Sequence, residues 1–171
     1  MENLMDCCNF PESPGIDANR CRRCGAQGRK VHPETMESLL TPEARVRLRD
    51  TTYFFDRTAG CDVVYFSNEA ESYFSKDELK VLVGIKETEP PVPICYCFGH
   101  TAESAREEIL ETGHSTVADR ITAEVEAGNC ACEIKNPSGR CCLGEVNQVV
   151  SRIQKELELD SVAETKGGKS S

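Results

Sequence analysis

Cys95-Tyr96-Cys97, Asn129-Cys130-Ala131-Cys132 and Asn136-Pro137-Ser138-Gly139-Arg140-Cys141-Cys142 together hold six of the chain's eleven cysteines. Each group stands at the end of a segment with helical character. Thr101 can cap a helix that runs to about Leu110 and stops at Gly113. Thr116 can cap a second, with Val117, Ile121 and Val125 on one face and Gly128 at its end. A third begins near Leu143 and carries the apolar stripe Val146, Val149, Val150, Ile153 and Leu157. Cys95 and Cys97 precede the first helix, Cys130 and Cys132 follow the second, and Cys141 and Cys142 open the third. Folding can therefore draw all six to one point. A thiolate cage closed by short helices suits an iron–sulfur cluster. Helix N-termini offer N–H groups and a positive dipole end to such an anionic centre, and Arg140 can add charge. Donors of this kind raise a cluster's reduction potential.

Composition sets the limits. With 171 residues there is room for one domain or two small ones. Trp is absent and aromatics make up 6%, so neither part can bury a large aromatic core. Small units of this kind lean on a metal or a disulfide. Met1-Glu2-Asn3-Leu4-Met5-Asp6 lacks the basic and apolar regions of a secretory signal. No apolar run approaches the roughly 20 residues that cross a bilayer. A soluble, cytoplasmic protein is expected, where thiols stay reduced. An odd number of cysteines also argues against a complete disulfide framework. Metal is the better staple. The net charge of −9 disfavours nucleic acid as a partner. No Ser/His/Asp signature, phosphate-binding glycine loop or paired-carboxylate motif supports hydrolysis.

The pattern divides the chain into an irregular lead (1–20), a β-rich zinc-binding unit (21–89), a helical unit (90–158) and a disordered tail (159–171). The fold class expected is α+β. Thr51 to Phe55 and Val63 to Phe66 are aromatic and β-branched, as strands prefer, with a turn between Asp56 and Gly60. Leu79, Val81, Val83 and Ile85 alternate with the period of a half-buried strand. Ser75 and Glu78 form a possible capping box ahead of it. Thr41 followed by Pro42 predicts a short helix. Glu89-Pro90-Pro91-Val92-Pro93 reads as a stiff linker.

Cys21-Arg22-Arg23-Cys24-Gly25 has the form of a zinc knuckle, in which Gly25 lets N–H groups turn toward the sulfurs. Cys61 can add a third thiolate. Zinc takes four ligands in a closed site, and the fourth is not a cysteine in this stretch. A redox dithiol is the competing reading of Cys21 and Cys24, but no βαβ pattern surrounds them. Cys7-Cys8 is a vicinal pair that could bind a soft ion, or be two exposed thiols. His100 could stand behind a cluster ligand, although His100 and His114 also read as ordinary surface residues.

A C-x-C pair before a helix, followed after a helical stretch by further cysteines, resembles bacterioferritin-associated ferredoxin-like [2Fe–2S] domains. The words Cys95-Tyr96-Cys97 and Asn136 to Cys142, with Cys61-Asp62-Val63-Val64-Tyr65-Phe66, are more closely similar to the N-terminal zinc/[2Fe–2S] module of CopZ-type copper chaperones. The resemblance implies a [2Fe–2S] cluster on Cys95, Cys97, Cys132 and Cys142, with Cys141 the alternative fourth ligand and Cys130 spare. It also implies zinc on Cys21, Cys24, Cys61 and a ligand shortly before Cys61, for which Asp56 is the first choice. His32 and Cys7 or Cys8 are the alternatives. The implied role is a non-enzymatic electron carrier or copper-chaperone accessory, with Cu+ as a transient cargo and a redox or copper-handling protein as partner. The competing reading is a zinc-stabilised interaction or redox-sensing module. One departure stands out: no further copper domain with its own C-x-x-C follows Leu159.

Overall fold

A computed structural model of the protein describes residues 17–166. Cys7 and Cys8 lie outside them. The first half is a four-stranded antiparallel sheet in the order β1-β2-β3-β4 (Arg29–Val31, Tyr53–Phe55, Val63–Ser67, Ser72–Ser75). The aromatic run at β2 splits between the two faces, as strand geometry requires. Tyr53 and Phe55 join Met36 and Leu39 of α1 (Pro33–Leu39), Leu40 and Phe74 in one core. Phe54 turns the other way, toward Phe66, Tyr73, Cys21 and Cys61. An irregularity between Val63 and Tyr65 lets neighbours Val64 and Tyr65 both enter the first core, as a β-bulge does. Thr41 caps α2 (Pro42–Arg45), with Pro42 in its first turn.

The strand expected over Leu79–Ile85 does not form. The Ser75–Glu78 capping box is present and opens a 3₁₀ turn, Lys76–Glu78. A second 3₁₀ turn covers Gly84–Lys86. Leu79 and Val83 are buried as their alternation implies. The segment between the turns lies on the end of α1, with Lys80 N–H donating to Leu39 O at 2.8 Å. Alternating burial marks any extended segment laid on a core, and a strand needs a paired neighbour as well.

The second half holds a short hairpin, β5 and β6 (Pro93–Cys95, His100–Thr101), and four helices: α3 (Ala102–Thr112), α4 (Val117–Glu126), α5 (Cys132–Lys135) and α6 (Leu143–Lys166). Thr101 caps α3 and Ser104 reciprocates, while Gly113, at φ +83°, ends it in the left-handed region. Thr116 makes no cap bond of its own. Its N–H and hydroxyl both donate to the Glu108 carboxylate, at 3.0 and 2.6 Å, so α3 supplies the acceptor at the start of α4. Ala105 and Ile109 of α3 and Val117 and Ile121 of α4 pack on Val146, Val150 and Ile153 of α6.

The disordered tail expected from residue 159 is helix as far as Lys166. Glu158, Leu159, Ala163 and Glu164 are strong helix formers and carry α6 beyond its core stripe. Leu159 and Val162 are exposed there.

Nor do the prolines separate two independent bodies. The buried Tyr65 hydroxyl donates to Pro137 O at 2.7 Å, and Thr35 donates to Glu133 O. Gly84 N–H donates to the Tyr96 hydroxyl at 2.8 Å. At this junction a Cβ on residue 84 would lie 1.8 Å from Pro93 O, so only glycine fits. Gly84→Ala is therefore expected to destabilise the protein by about 3 kcal/mol, the upper range for overpacking. Urea unfolding checks this, with an unchanged midpoint as the contrary result.

Candidate metal centres

The first centre grows out of the sheet. Gly25, at φ +75°, folds the knuckle back so that its N–H donates to Cys21 O at 2.7 Å, and Cys21 N–H donates to Ala26 O at 2.9 Å. This aims Cys21 and Cys24 at the end of the β2–β3 loop. Asp56 follows β2, and its N–H donates to Val64 O at 2.8 Å. Its Oδ1 accepts the Thr58 N–H at 2.8 Å, a local turn bond typical of Asp. Its Oδ2 faces Cys24 Sγ at 3.1 Å. Cys61 closes the loop with its Sγ 4.0 Å from that of Cys21.

One ligand atom from each of Cys21, Cys24, Asp56 and Cys61 lies within 4.8 Å of all the others. A tetrahedral ion with zinc–sulfur bonds of 2.3 Å needs sulfur–sulfur edges of about 3.8 Å, so the donor set and its size fit Zn2+. Cys21, Asp56 and Cys61 are buried and Cys24 is exposed. Four protein ligands leave no open position, which is the pattern of a structural site. The structure brings Asp56 to this point. His32 is exposed at the start of α1, outside the group.

Burial and the hydrogen bond to Asp56 push the Cys21 thiol up to about 12. Burial also raises Cys61. Burial works against the Asp56 carboxylate, but hydrogen bonds from Cys21, Thr58 and Cys24 outweigh it and hold Asp56 below the usual range. Without metal, Cys21 and Cys61 are thus protonated near neutrality, and each must lose its proton to ligate. Acid therefore competes with the metal. Affinity is expected to fall about tenfold per proton for each unit of pH, or about a hundredfold per unit for this pair. Chelator competition at two pH values below 8 checks this, and a flat profile would contradict it.

Sequence reasoning missed Lys86. Its side chain is buried with the Nζ 3.8 Å from Asp56 Oδ1. The Nζ also donates to Thr58 O and Cys61 O, each at 2.9 Å. Nothing local marks this lysine, because the second 3₁₀ turn delivers it from across the fold. The one available hint was charge: three thiolates and a carboxylate around a divalent ion call for a nearby cation.

The second centre gathers cysteines in the helical half. Cys95 ends β5, Cys97 follows in the hairpin turn, Cys132 opens α5 and Cys142 immediately precedes α6. Cys95, Cys132 and Cys142 are buried, Cys97 and Cys130 are half-buried and Cys141 is exposed. Cys97 Sγ lies 3.5 Å from Cys132 Sγ, and Cys130 Sγ lies 4.0 Å from Cys132 Sγ. Interaction with the Cys142 thiol, together with N–H groups of Phe98 and Cys97, outweighs burial and holds Cys95 below the usual thiol range. The same contact, with burial, pushes Cys142 up. Burial raises Cys132 to about 12 against a bond from the Cys142 backbone. Ala131 N–H donates to Cys97 Sγ at 3.3 Å.

Asn136 explains the Asn-Pro-Ser-Gly-Arg word. Buried, it donates from Nδ2 to Arg140 O at 2.8 Å and accepts the Ser138 N–H at 3.0 Å on Oδ1. The turn this builds carries Gly139 at φ +66° and is followed by Cys142, buried in the helical core. Cys95, Cys132 and Cys142 thus lie in one buried cluster, with Cys97 and Cys130 packed against it. An all-thiolate set of four fits a two-iron cluster. His100 pairs with Cys95 across the hairpin, and His114 is exposed near the end of α3.

Residues 18–80 match the zf_CopZ family, described as a zinc binding domain. The copper chaperone CopZ of Archaeoglobus fulgidus is 34% identical over 124 residues, which are 72% of this chain and 57% of that relative. The chain thus matches little more than half of that protein's length. The X-ray structure of the N-terminal domain of Archaeoglobus fulgidus CopZ superposes with a TM-score of 0.64 at 30% identity, covering 76% of this chain and 96% of that one. The chain belongs to the family of the CopZ N-terminal domain.

Proposed function

We propose that the protein carries two metal centres and serves one-electron transfer or metal handling in copper homeostasis. Cys21, Cys24, Asp56 and Cys61 would hold Zn2+ as a structural staple. Cys95, Cys97, Cys132 and Cys142 would hold a [2Fe–2S] cluster, which supplies one-electron chemistry when bound. The observation that carries this reading is the approach of Cys97 and Cys132, 3.5 Å apart, in a cluster that also buries Cys95 and Cys142. The Ala131 N–H already donates to the Cys97 sulfur at 3.3 Å. Donors of this kind stabilise the more negative, reduced state and raise the potential. Cys97 is the most exposed of the four and marks the side from which a partner would approach.

The name of the similar chaperone supports a copper cargo. Thiolates suit Cu+, so reduction of Cu(II) and delivery of Cu+ to a separate chaperone are chemically coupled. No catalytic turnover is required, and the partner is a copper-handling or redox protein. Among the described residues no helix is long and apolar enough to cross a membrane.

The test mixes dithionite-reduced, desalted protein with Cu(II) under anaerobic conditions beside a chromophoric chelator selective for Cu+. One Cu+ per chain is expected, above the amount that zinc-loaded, iron-free protein yields through its thiols. Equal yields would remove the electron-transfer role. Exposed Cys141, and Cys130 at 4.0 Å from Cys132, favour a redox-sensing module as the second reading. A cluster that resists reduction but is lost on mild oxidation would select it.

A further inference from the structure

Lys86 carries a charge where the fold has little use for one. Its side chain is 1% exposed, and burying an ammonium costs several kcal/mol unless geometry and hydrogen bonds compensate. An apolar side chain of similar length would fill the same space without that penalty. All three contacts of its Nζ fall on the loop that holds two of the four candidate zinc ligands: Thr58 O, Cys61 O and Asp56 Oδ1. The Asp56 carboxylate is thereby divided. Oδ1 faces Lys86 and the Thr58 N–H, and Oδ2 is left facing Cys24. Three thiolates, one carboxylate and Zn2+ carry a net charge of about −2, which the ammonium partly offsets.

We propose that Lys86 is a positioning residue of the zinc centre, holding Asp56 so that Oδ2 alone is presented to the metal. This rests on the zinc reading above. Partners one step behind a metal ligand set its orientation, and losing one lowers metal affinity by about 10–100-fold.

The test is zinc competition against a chromophoric chelator on the full chain, with the Co2+-substituted absorption spectrum as a report on the ligand set. Lys86→Met keeps the length of the stem and removes the ammonium. It is expected to weaken zinc binding by about 10–100-fold and to alter the Co2+ bands, while Lys86→Gln, which retains an N–H donor, falls between. Placed on Asp56→Ala, Lys86→Met is expected to cost little further, since the carboxylate it positions is gone. Wild-type affinity in Lys86→Met would overturn the proposal. So would an undiminished loss in the Asp56→Ala background, which would mark a purely structural lysine. Far-UV circular dichroism monitors folding, and Lys86→Gln carries the comparison if Lys86→Met unfolds. Wild-type protein that binds no Zn2+ would instead bring down the zinc reading itself.

Discussion

Cys61→Ser should strip the protein of tightly held zinc and destabilise the sheet unit by about 4 kcal/mol or more. Cys61 is buried with Phe66 and Cys21, and its backbone carbonyl anchors Lys86. The aromatic cluster beside it is small, with Phe54 and Tyr73 only partly buried. A unit of this size depends on its staple, because zinc ligation contributes folding free energy outright. For a chain of 171 residues the loss corresponds to about 10 °C or more in Tm. Zinc analysis with thermal unfolding by circular dichroism checks both parts. A zinc-free variant that melts at the wild-type temperature would show that the metal is dispensable to the fold. Chelation of zinc from the wild-type protein should reproduce the loss.

Cys142→Ser should abolish the cluster, whereas Cys141→Ser should leave it in place. The two residues are adjacent in sequence and opposite in environment. Cys142 is 1% exposed and lies in the same buried cluster as Cys95 and Cys132, while Cys141 is exposed. The Asn136 turn directs one inward and the other to solvent. A two-iron centre with one thiolate missing either fails to assemble or substitutes a weaker ligand, so iron, sulfide and visible absorption should fall to near zero in Cys142→Ser. The reverse pattern would make Cys141 the fourth ligand. Near-equal retention in both variants would point to Cys130, whose sulfur lies 4.0 Å from that of Cys132.

Local features of the fold were readable in the sequence because local interactions produce them. Thr101 and Gly113 bound α3 through capping bonds made within a turn of each residue. Cys132 at the start of α5 and Cys142 just before α6 were placed by the same local signals, whereas Cys95 and Cys97 lie in a hairpin and not at a helix end. Long-range features were not readable. The three residues of β1 are too few to show a period, and α1 spans about two turns. Nothing near Tyr65 announces Pro137 as its partner, nor does Thr35 announce Glu133. The proline segment therefore suggested separate bodies where the structure packs them together. Leu79 to Ile85 misled because burial with a period of two does not require a paired strand. At the candidate zinc centre, Cys21 and Cys24 came from spacing, and Cys61 and Asp56 from family likeness. Lys86 could come only from the fold, since its contacts lie 25 and 28 residues away.

The most direct measurement is the content of iron, acid-labile sulfide and zinc in protein purified without oxygen. About two iron, two sulfide and one zinc per chain are expected. Zinc alone, with no sulfide even after anaerobic reconstitution, would contradict the two-centre assignment and leave a zinc-stabilised module without electron transfer.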